Sequence, residues 1–286
     1  MIETNSASAG VLGARASLSQ DNYRFLQQYI QRESGIQVGD DKLYLLQSRL
    51  VPVAESEGLK SLDDLCGRLR IAPTFQLRRR VIEAMTTHET LFFRDPQIFE
   101  ALRTQILPAV IKKQEAVRTL RIWSAACSSG QEPYTLAMIL AEMGLPDWKI
   151  EIVGTDLSEQ ILDKARQGKY LQIEINRGLP AAMLVKYFQR SGLEWQVKEE
   201  LRKRVQFRAL DLRTPTGGMG PFDIVLCRNV LIYFDIPTRK QILAGIRRTM
   251  VPGGWLLLGT SETLFDIDPQ LVRQTVGAAV AYQNPG

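Results

Sequence analysis

Residues 120–138 read LRIWSAACSSGQEPYTLAM, and GTDLSEQ follows at 154–160. The first stretch has the character of a buried strand that breaks into small residues at Ala125, Ala126, Ser128, Ser129 and Gly130. A helix-forming run comes next, with Pro133 near its first turn. The second stretch reads as another strand, ending in the carboxylate of Asp156. A tight turn at a strand's carboxyl end, opening a helix, lets the main chain approach a ligand closely, and an acid on the next strand accepts both hydroxyls of a ribose. The two segments together predict a nucleoside-binding α/β sheet.

The rest of the chain bears on which nucleoside. A dinucleotide fold holds a pyrophosphate on helix amides behind a glycine-rich turn. Here the turn has only Gly130 and places Glu132 at the helix start, where a carboxylate repels phosphate but suits a cation. S-adenosylmethionine carries a sulfonium, an ammonium, a carboxylate, a ribose and an adenine, and no phosphate. Asp156 for the ribose, Asp211 for the adenine edge and Glu132 for the ammonium form a coherent set, although an acid at a strand end is also a common helix cap. The fourth strand, in PFDIVLCRNVLIYFD at 221–235, ends in Arg228 and Asn229. It lacks the Asn/Asp-Pro-Pro-Tyr loop that grips an amine or base for N-methylation, which argues against a base methyltransferase.

Composition sets outer bounds. With 286 residues, 45% of them apolar, the chain can bury a full core and has room for two domains. No apolar run approaches the roughly 20 residues that span a bilayer. The opening MIETNSASAGVLGARAS lacks the order of a secretory signal and reads as a flexible tail. Cys66, Cys127 and Cys227 are widely spaced and form no ligand pattern, which fits free thiols in a reducing cytoplasm. With His88 the single histidine, a protein-bound metal is not expected. The net charge of +5 is concentrated between Lys186 and Arg208, where seven Lys/Arg face three Glu. That excess is either a solvated face or a docking surface for an acidic partner.

From Ser19 to Thr87 the periodicity is helical. Phe25, Leu26, Tyr29 and Ile30 mark a first helix stopped at Gly35; Leu43, Leu46 and Leu50 mark a second behind an Asp40–Asp41 cap, interrupted at Pro52. Ser61 with Asp64 opens a third, and Leu77, Val81, Ile82 and Met85 a fourth. Asp95–Pro96 looks like a cap and first turn for the helix bearing Phe99, Leu102 and Ile106. Strands are then expected at 120–125, 149–155, 205–209, 222–227, 254–258 and 278–282, with helices between most of them, which implies a mainly parallel sheet covered on both faces. The long connection from Gln167 to Val205 predicts an inserted subdomain.

These segments resemble the chemotaxis receptor glutamate O-methyltransferase family, the CheR family. The motifs that carry the resemblance are TTHETLFFRD (86–95), WSAACSSGQEPYTLAM (123–138), GTDLS (154–158), FDIVLCRNVLIYF (222–234) and PGGWLLLGTSE (252–262). The resemblance implies an α/β fold: a Rossmann-like class I S-adenosylmethionine-dependent methyltransferase sheet, an all-helical N-terminal domain and a small inserted antiparallel β subdomain. The expected organisation is a tail at 1–17, a helical domain at 18–85, a linker contributing to the active site at 86–95, and a methyltransferase domain at 96–286 with its insert at about 168–208. The implied activity is methyl transfer from S-adenosylmethionine to glutamate side chains of bacterial chemoreceptors. The implied partners are receptor cytoplasmic domains, with a receptor C-terminal peptide possible at the insert. The enzyme is expected to be a cytoplasmic monomer that neither binds nucleic acid nor enters a membrane.

Carried over by position, the resemblance assigns His88, Thr90 and Arg94 of the linker, Glu132, Asp156, Asp211, Leu212, Arg228 and Asn229 to the cofactor. Arg94, orienting the substrate carboxylate, and Tyr233, shaping the methyl pocket, are the expected catalytic residues. The bland alternatives are an ion pair of Arg94 with Asp95 or Glu100, and core packing for Tyr233; Phe92 and Phe93 read as core residues that fix the linker. His88 stands where the family often has Asn. The second helix, basic in many members, carries here only Lys42 and Arg49, which puts receptor docking through that face in doubt. Two other functions compete: RNA or small-molecule O-methylation, suggested by the pI of about 9.1, and a non-catalytic cofactor-sensing adaptor, which an intact linker and both acids speak against.

Overall fold

The computed structural model describes residues 18–214, 218–264 and 267–285, so the tail expected at 1–17 lies outside the described residues. Two compact units divide between Thr87 and His88, inside the segment read as a linker.

The first unit is all helix: α1 (Gln20–Ser34), α2 (Leu43–Ser56), α3 (Leu62–Ile71) and α4 (Phe75–Met85). Apolar residues at helical spacing, among them Leu26, Ile30, Leu46, Leu50, Leu65, Leu77 and Val81, are buried with almost no exposed surface. The Ser19, Ser61 and Thr74 hydroxyls accept the N–H of the third residue of α1, α3 and α4. Two local readings are corrected. Helix α2 has no side-chain cap, its first flanking residue being Lys42, and it continues through Pro52. Arg49 is turned inward: its guanidinium donates to the carbonyls of Met85 and Thr86 and to the Thr87 hydroxyl, closing the end of α4.

The second unit is a sheet of seven strands in the order β6-β2-β1-β7-β8-β10-β9. Its strands are β1 (Thr119–Ala125), β2 (Lys149–Asp156), β6 (Val205–Ala209), β7 (Phe222–Cys227), β8 (Met250–Leu258), β9 (Val272–Val276) and β10 (Ala279–Gln283). β6, β2, β1, β7 and β8 run parallel, and β10 lies antiparallel between β8 and β9. Strand β9 is an addition to the expected set. Its sequence VRQTV buries only Val276, so an edge strand of this kind has no apolar alternation to announce it.

The period of two divides each central strand between two cores. Leu120 and Ile122 pack with Leu136, Ile139 and Leu140 of α7 (Gln131–Glu142). Trp123 and Ala125 pack on the other face with Ile242, Leu243 and Ile246 of α12 (Ile236–Arg248). The linker leads into α5 (Pro96–Ala101), a π-helical turn (Leu102–Ile106) and α6 (Leu107–Lys113). Helix α8 (Glu159–Gln167) follows β2.

Between α8 and β6 the chain builds a second, three-stranded antiparallel sheet, β3 (Lys169–Leu171), β4 (Phe188–Ser191) and β5 (Glu194–Val197), in the order β3-β5-β4. Three short helices accompany it: α9 (Gln172–Asn176), α10 (Ala181–Tyr187) and α11 (Glu199–Arg202).

Candidate active site

The strand order reverses direction on either side of β1 and β7, which are paired out to Ala125 and Cys227. Ligands of open α/β sheets sit outside the carboxyl ends of strands at such a switch point. One wall of this crevice is the turn after β1. Ala126 and Ser128 take left-handed backbone angles, with φ of 57° and 50°, and bring the chain back over the strand ends. The Ser128 N–H donates to Asp156 Oδ2 at 2.9 Å, and the Ser128 hydroxyl donates to the carbonyl of His88 at 2.9 Å. Asp156 ends β2 and also accepts the Ser158 N–H on Oδ1 at 3.1 Å. Burial pushes the Asp156 carboxyl up, against the main-chain hydrogen bonds and the nearby His88, which pull it down.

The other wall is the turn after β7, and a buried charge network organises it. The Arg228 guanidinium donates through Nη1 to Glu132 Oε2 at 2.7 Å. Its Nη2 donates to the Arg94 carbonyl at 2.5 Å and to Asp95 Oδ2 at 2.8 Å. Glu132 Oε1 accepts the Ser124 hydroxyl, so both of its oxygens are engaged by protein groups. The Asp95–Pro96 cap reading is corrected here: Asp95 has a φ of 59° and makes no side-chain cap bond, because its carboxylate is drawn to Arg228. Neither acid that the sequence offers Arg94 takes it. Asp95 faces Arg228 and Glu100 pairs with Arg103, while the Arg94 guanidinium donates to the Glu89 carbonyl at 2.9 Å.

The linker is seated on its second side by the insert. Phe92, with no exposed surface, meets Tyr170 of β3 and Phe188 of β4 edge-on, at centroid distances of 5.0 and 5.6 Å. Gly178 passes so close to the Phe92 carbonyl, at a φ of 98°, that any β-carbon there would collide with that oxygen. Phe93 donates its N–H to the Thr135 hydroxyl and packs against Phe99.

The remaining expected residues stand in the linker and in the loops after β6 and β7. Asp211 follows β6, and its carboxylate is held by Arg213 through contacts of 2.6 to 3.1 Å. Leu212 is buried with Trp123 and Val153. His88 and Thr90 are half-buried, and Tyr233 closes a half-buried 3-10 turn, Leu231–Tyr233. Asn229, at a φ of 57°, is fixed by a residue that position in the sequence did not single out. Glu262, in the loop after β8, accepts the N–H groups of Asn229, Val230, Leu231 and Gly259. Its only signal in the sequence is an acid soon after an apolar strand.

The donor set fits a nucleoside that carries a cation. Each oxygen of a carboxylate offers about two acceptor sites. Asp156 accepts the N–H groups of Ser128 on Oδ2 and Ser158 on Oδ1, and the Leu157 N–H also bears on it. Some acceptor capacity therefore remains for a ligand hydroxyl. Glu132 at the start of α7 leaves no excess positive charge for a diphosphate. Among the described residues no group of three or more His, Cys, Asp or Glu side chains is placed to hold a metal ion. Cys66, Cys127 and Cys227 are buried and unpaired; burial pushes the Cys66 thiol up to about 12 and the other two well above their ordinary range. No described helix is long and apolar enough to cross a membrane.

Comparison with known proteins agrees over both units. Residues 21–86 match the family described as CheR methyltransferase, all-alpha domain, and residues 88–278 match CheR methyltransferase, SAM binding domain. The chain is 41% identical to Chemotaxis protein methyltransferase Cher2 of Pseudomonas putida over 89% of its own length and 94% of that protein. It is 43% identical to Chemotaxis protein methyltransferase 1 of Pseudomonas aeruginosa, over 87% and 92%, and 38% identical to the Chemotaxis protein methyltransferase of Vibrio parahaemolyticus, over 93% and 98%. With a helical first unit, a switch-point crevice and matches spanning both, the chain belongs to the CheR family of S-adenosylmethionine-dependent methyltransferases.

Proposed function

We propose that this protein methylates glutamate side chains of bacterial chemoreceptors, forming the methyl esters used in chemotactic adaptation. The observation that carries this reading is the match of both units to one family, around a crevice whose Asp156 keeps acceptor capacity for a ribose. S-adenosylmethionine supplies a sulfonium-bound methyl group. Asp156 holds its ribose, and the walls formed by Ala126–Gly130 and Arg228–Tyr233 enclose the rest, with His88, Thr90, Leu212 and Asn229 completing the lining. Glu132 and Arg228 hold the linker across the crevice.

A glutamate carboxyl titrates near 4.3, so the substrate is already ionised at neutral pH and needs no general base. Catalysis then rests on alignment, whose limit is about 7–11 kcal/mol. Arg94 orients the acceptor carboxylate and Tyr233 shapes the space around the methyl. In this reading the enzyme works as a monomer in the reducing cytoplasm, where its three buried thiols stay unpaired. It takes a receptor's C-terminal peptide along an edge of the insert sheet, where β3 and β4 are the outer strands. Helix α2 is an unsuitable docking face, because Arg49 is engaged at the end of α4.

The test is incubation with methyl-labelled S-adenosylmethionine and receptor cytoplasmic fragments, followed by alkali. Release of labelled methanol identifies carboxyl esters. Label that survives base overturns the proposal and points to N-methyl or ether products. In the same assay Arg94→Ala lowers turnover far more than cofactor affinity; equal losses would move Arg94 to the cofactor.

A further inference from the structure

We infer that Glu262 is a positioning residue for methyl transfer, holding the Asn229–Tyr233 loop in its working shape without touching either reactant. The inference rests on the methyl-transfer reading above, because that reading places Asn229 and Tyr233 at the reaction.

Strands β7 and β8 are paired up to Cys227 and Leu258, so the loops that follow them leave the sheet side by side. Glu262 Oε1 accepts the N–H groups of Val230 and Leu231 at 3.0 and 2.8 Å, and Oε2 accepts those of Asn229 and Gly259 at 2.7 and 2.8 Å. Consecutive N–H groups turned to one side form a concave anion site, here filled by the protein's own carboxylate. Asn229 is left-handed, a conformation that Asn adopts more readily than other residues with a side chain and that turns its N–H toward Glu262. All the donors come from the main chain, so the carboxylate sets backbone position directly. The neighbouring glycine shows how closely the parts fit. A β-carbon on Gly259 would stand 2.5 Å from Asn229 Nδ2 and 2.8 Å from Glu262 Oε2.

Glu262→Gln is the discriminating variant. It keeps the shape but replaces one acceptor oxygen with an NH₂ group facing two donors. Gly259→Ala is an independent perturbation that keeps the charge and crowds the same contact. For Glu262→Gln, we expect kcat for ester formation to fall about tenfold or more, with cooperative unfolding retained, from the loss of charge-assisted bonds. Gly259→Ala lowers kcat in the same direction, and Glu262→Asp restores part of the loss. A kcat within about twofold of wild type in Glu262→Gln, or a kcat that falls only in proportion to the folded fraction, overturns the role.

Amide hydrogen exchange at Asn229, Val230 and Leu231 reads the tether without any assay of turnover, and should speed up about tenfold in Glu262→Gln. Unchanged exchange overturns the tether itself. A wild-type protein that yields no base-labile ester, while Glu262→Gln still loosens these amides, would sink the proposed activity and leave the tether standing.

Discussion

The two walls of the crevice are built on opposite principles. The wall after β1 surrounds Asp156, a buried carboxylate held by the main chain of Ser128, Leu157 and Ser158. The wall after β7 is saturated with charge: Arg228 faces Glu132 and Asp95, and Glu262 faces a row of N–H groups. One wall holds its acid with main-chain N–H groups, while the other sets its acids against a guanidinium or a row of N–H groups. Glu132 and Asp156 lie at comparable places in the fold, yet one meets a cation and the other the main chain.

The largest expected effect comes from breaking the saturated wall. Arg228→Met leaves Glu132, with 11% of its side chain exposed, and Asp95 without their cation. Removing one member of a buried ionic group costs about 3–5 kcal/mol, measurable by urea unfolding. A loss below about 1 kcal/mol would mean that this wall is not held by charge.

The wall after β1 responds in binding. Asp156→Ala should weaken S-adenosylmethionine by roughly 1–3 kcal/mol in a calorimetric titration, the range for an unpaired buried polar group. An unchanged titration would remove Asp156 from the ribose. The same residue has a stability signature. Burial raises its pKa in the folded protein above 3.8, so the native state holds the proton more tightly than the unfolded chain does. Its contribution therefore falls as pH rises through the window between those two values and stays low above it. Relative to Asp156→Asn, the ligand-free wild type should lose stability across that window. A parallel pair of curves would show that the carboxyl is not strained by burial.

The smallest effect is expected at the rim. The Arg213–Asp211 pair has both side chains about one-fifth exposed, and partly exposed pairs contribute about 1 kcal/mol or less. Arg213→Ala should change stability by no more than that. A marked change in cofactor affinity in this variant would show that the Arg213 pair positions Asp211 for the cofactor.

Much of this arrangement was legible in the chain. The helical N-terminal periodicity, the small-residue break at 125–130, the acid ending the next strand and the long connection before Val205 all follow from local patterning. Phe92 as a core residue follows from its apolar context, and its burial against Tyr170 and Phe188 agrees. What failed locally is equally specific. Asp95 beside Pro96 has the composition of a cap, but a guanidinium brought in by β7 outcompetes the helix N–H groups for its carboxylate. Pro52 sits within α2 without ending it.

Sequence alone determined the fold class and the crevice, because strand and helix periods and small-residue turns are properties of neighbours along the chain. Only the tertiary structure decided which acids meet a cation. Arg228 lies 96 residues from Glu132, and Glu262 lies 33 from Asn229. Charge pairing over such separations depends on which strands the sheet places side by side. No local pattern records that choice.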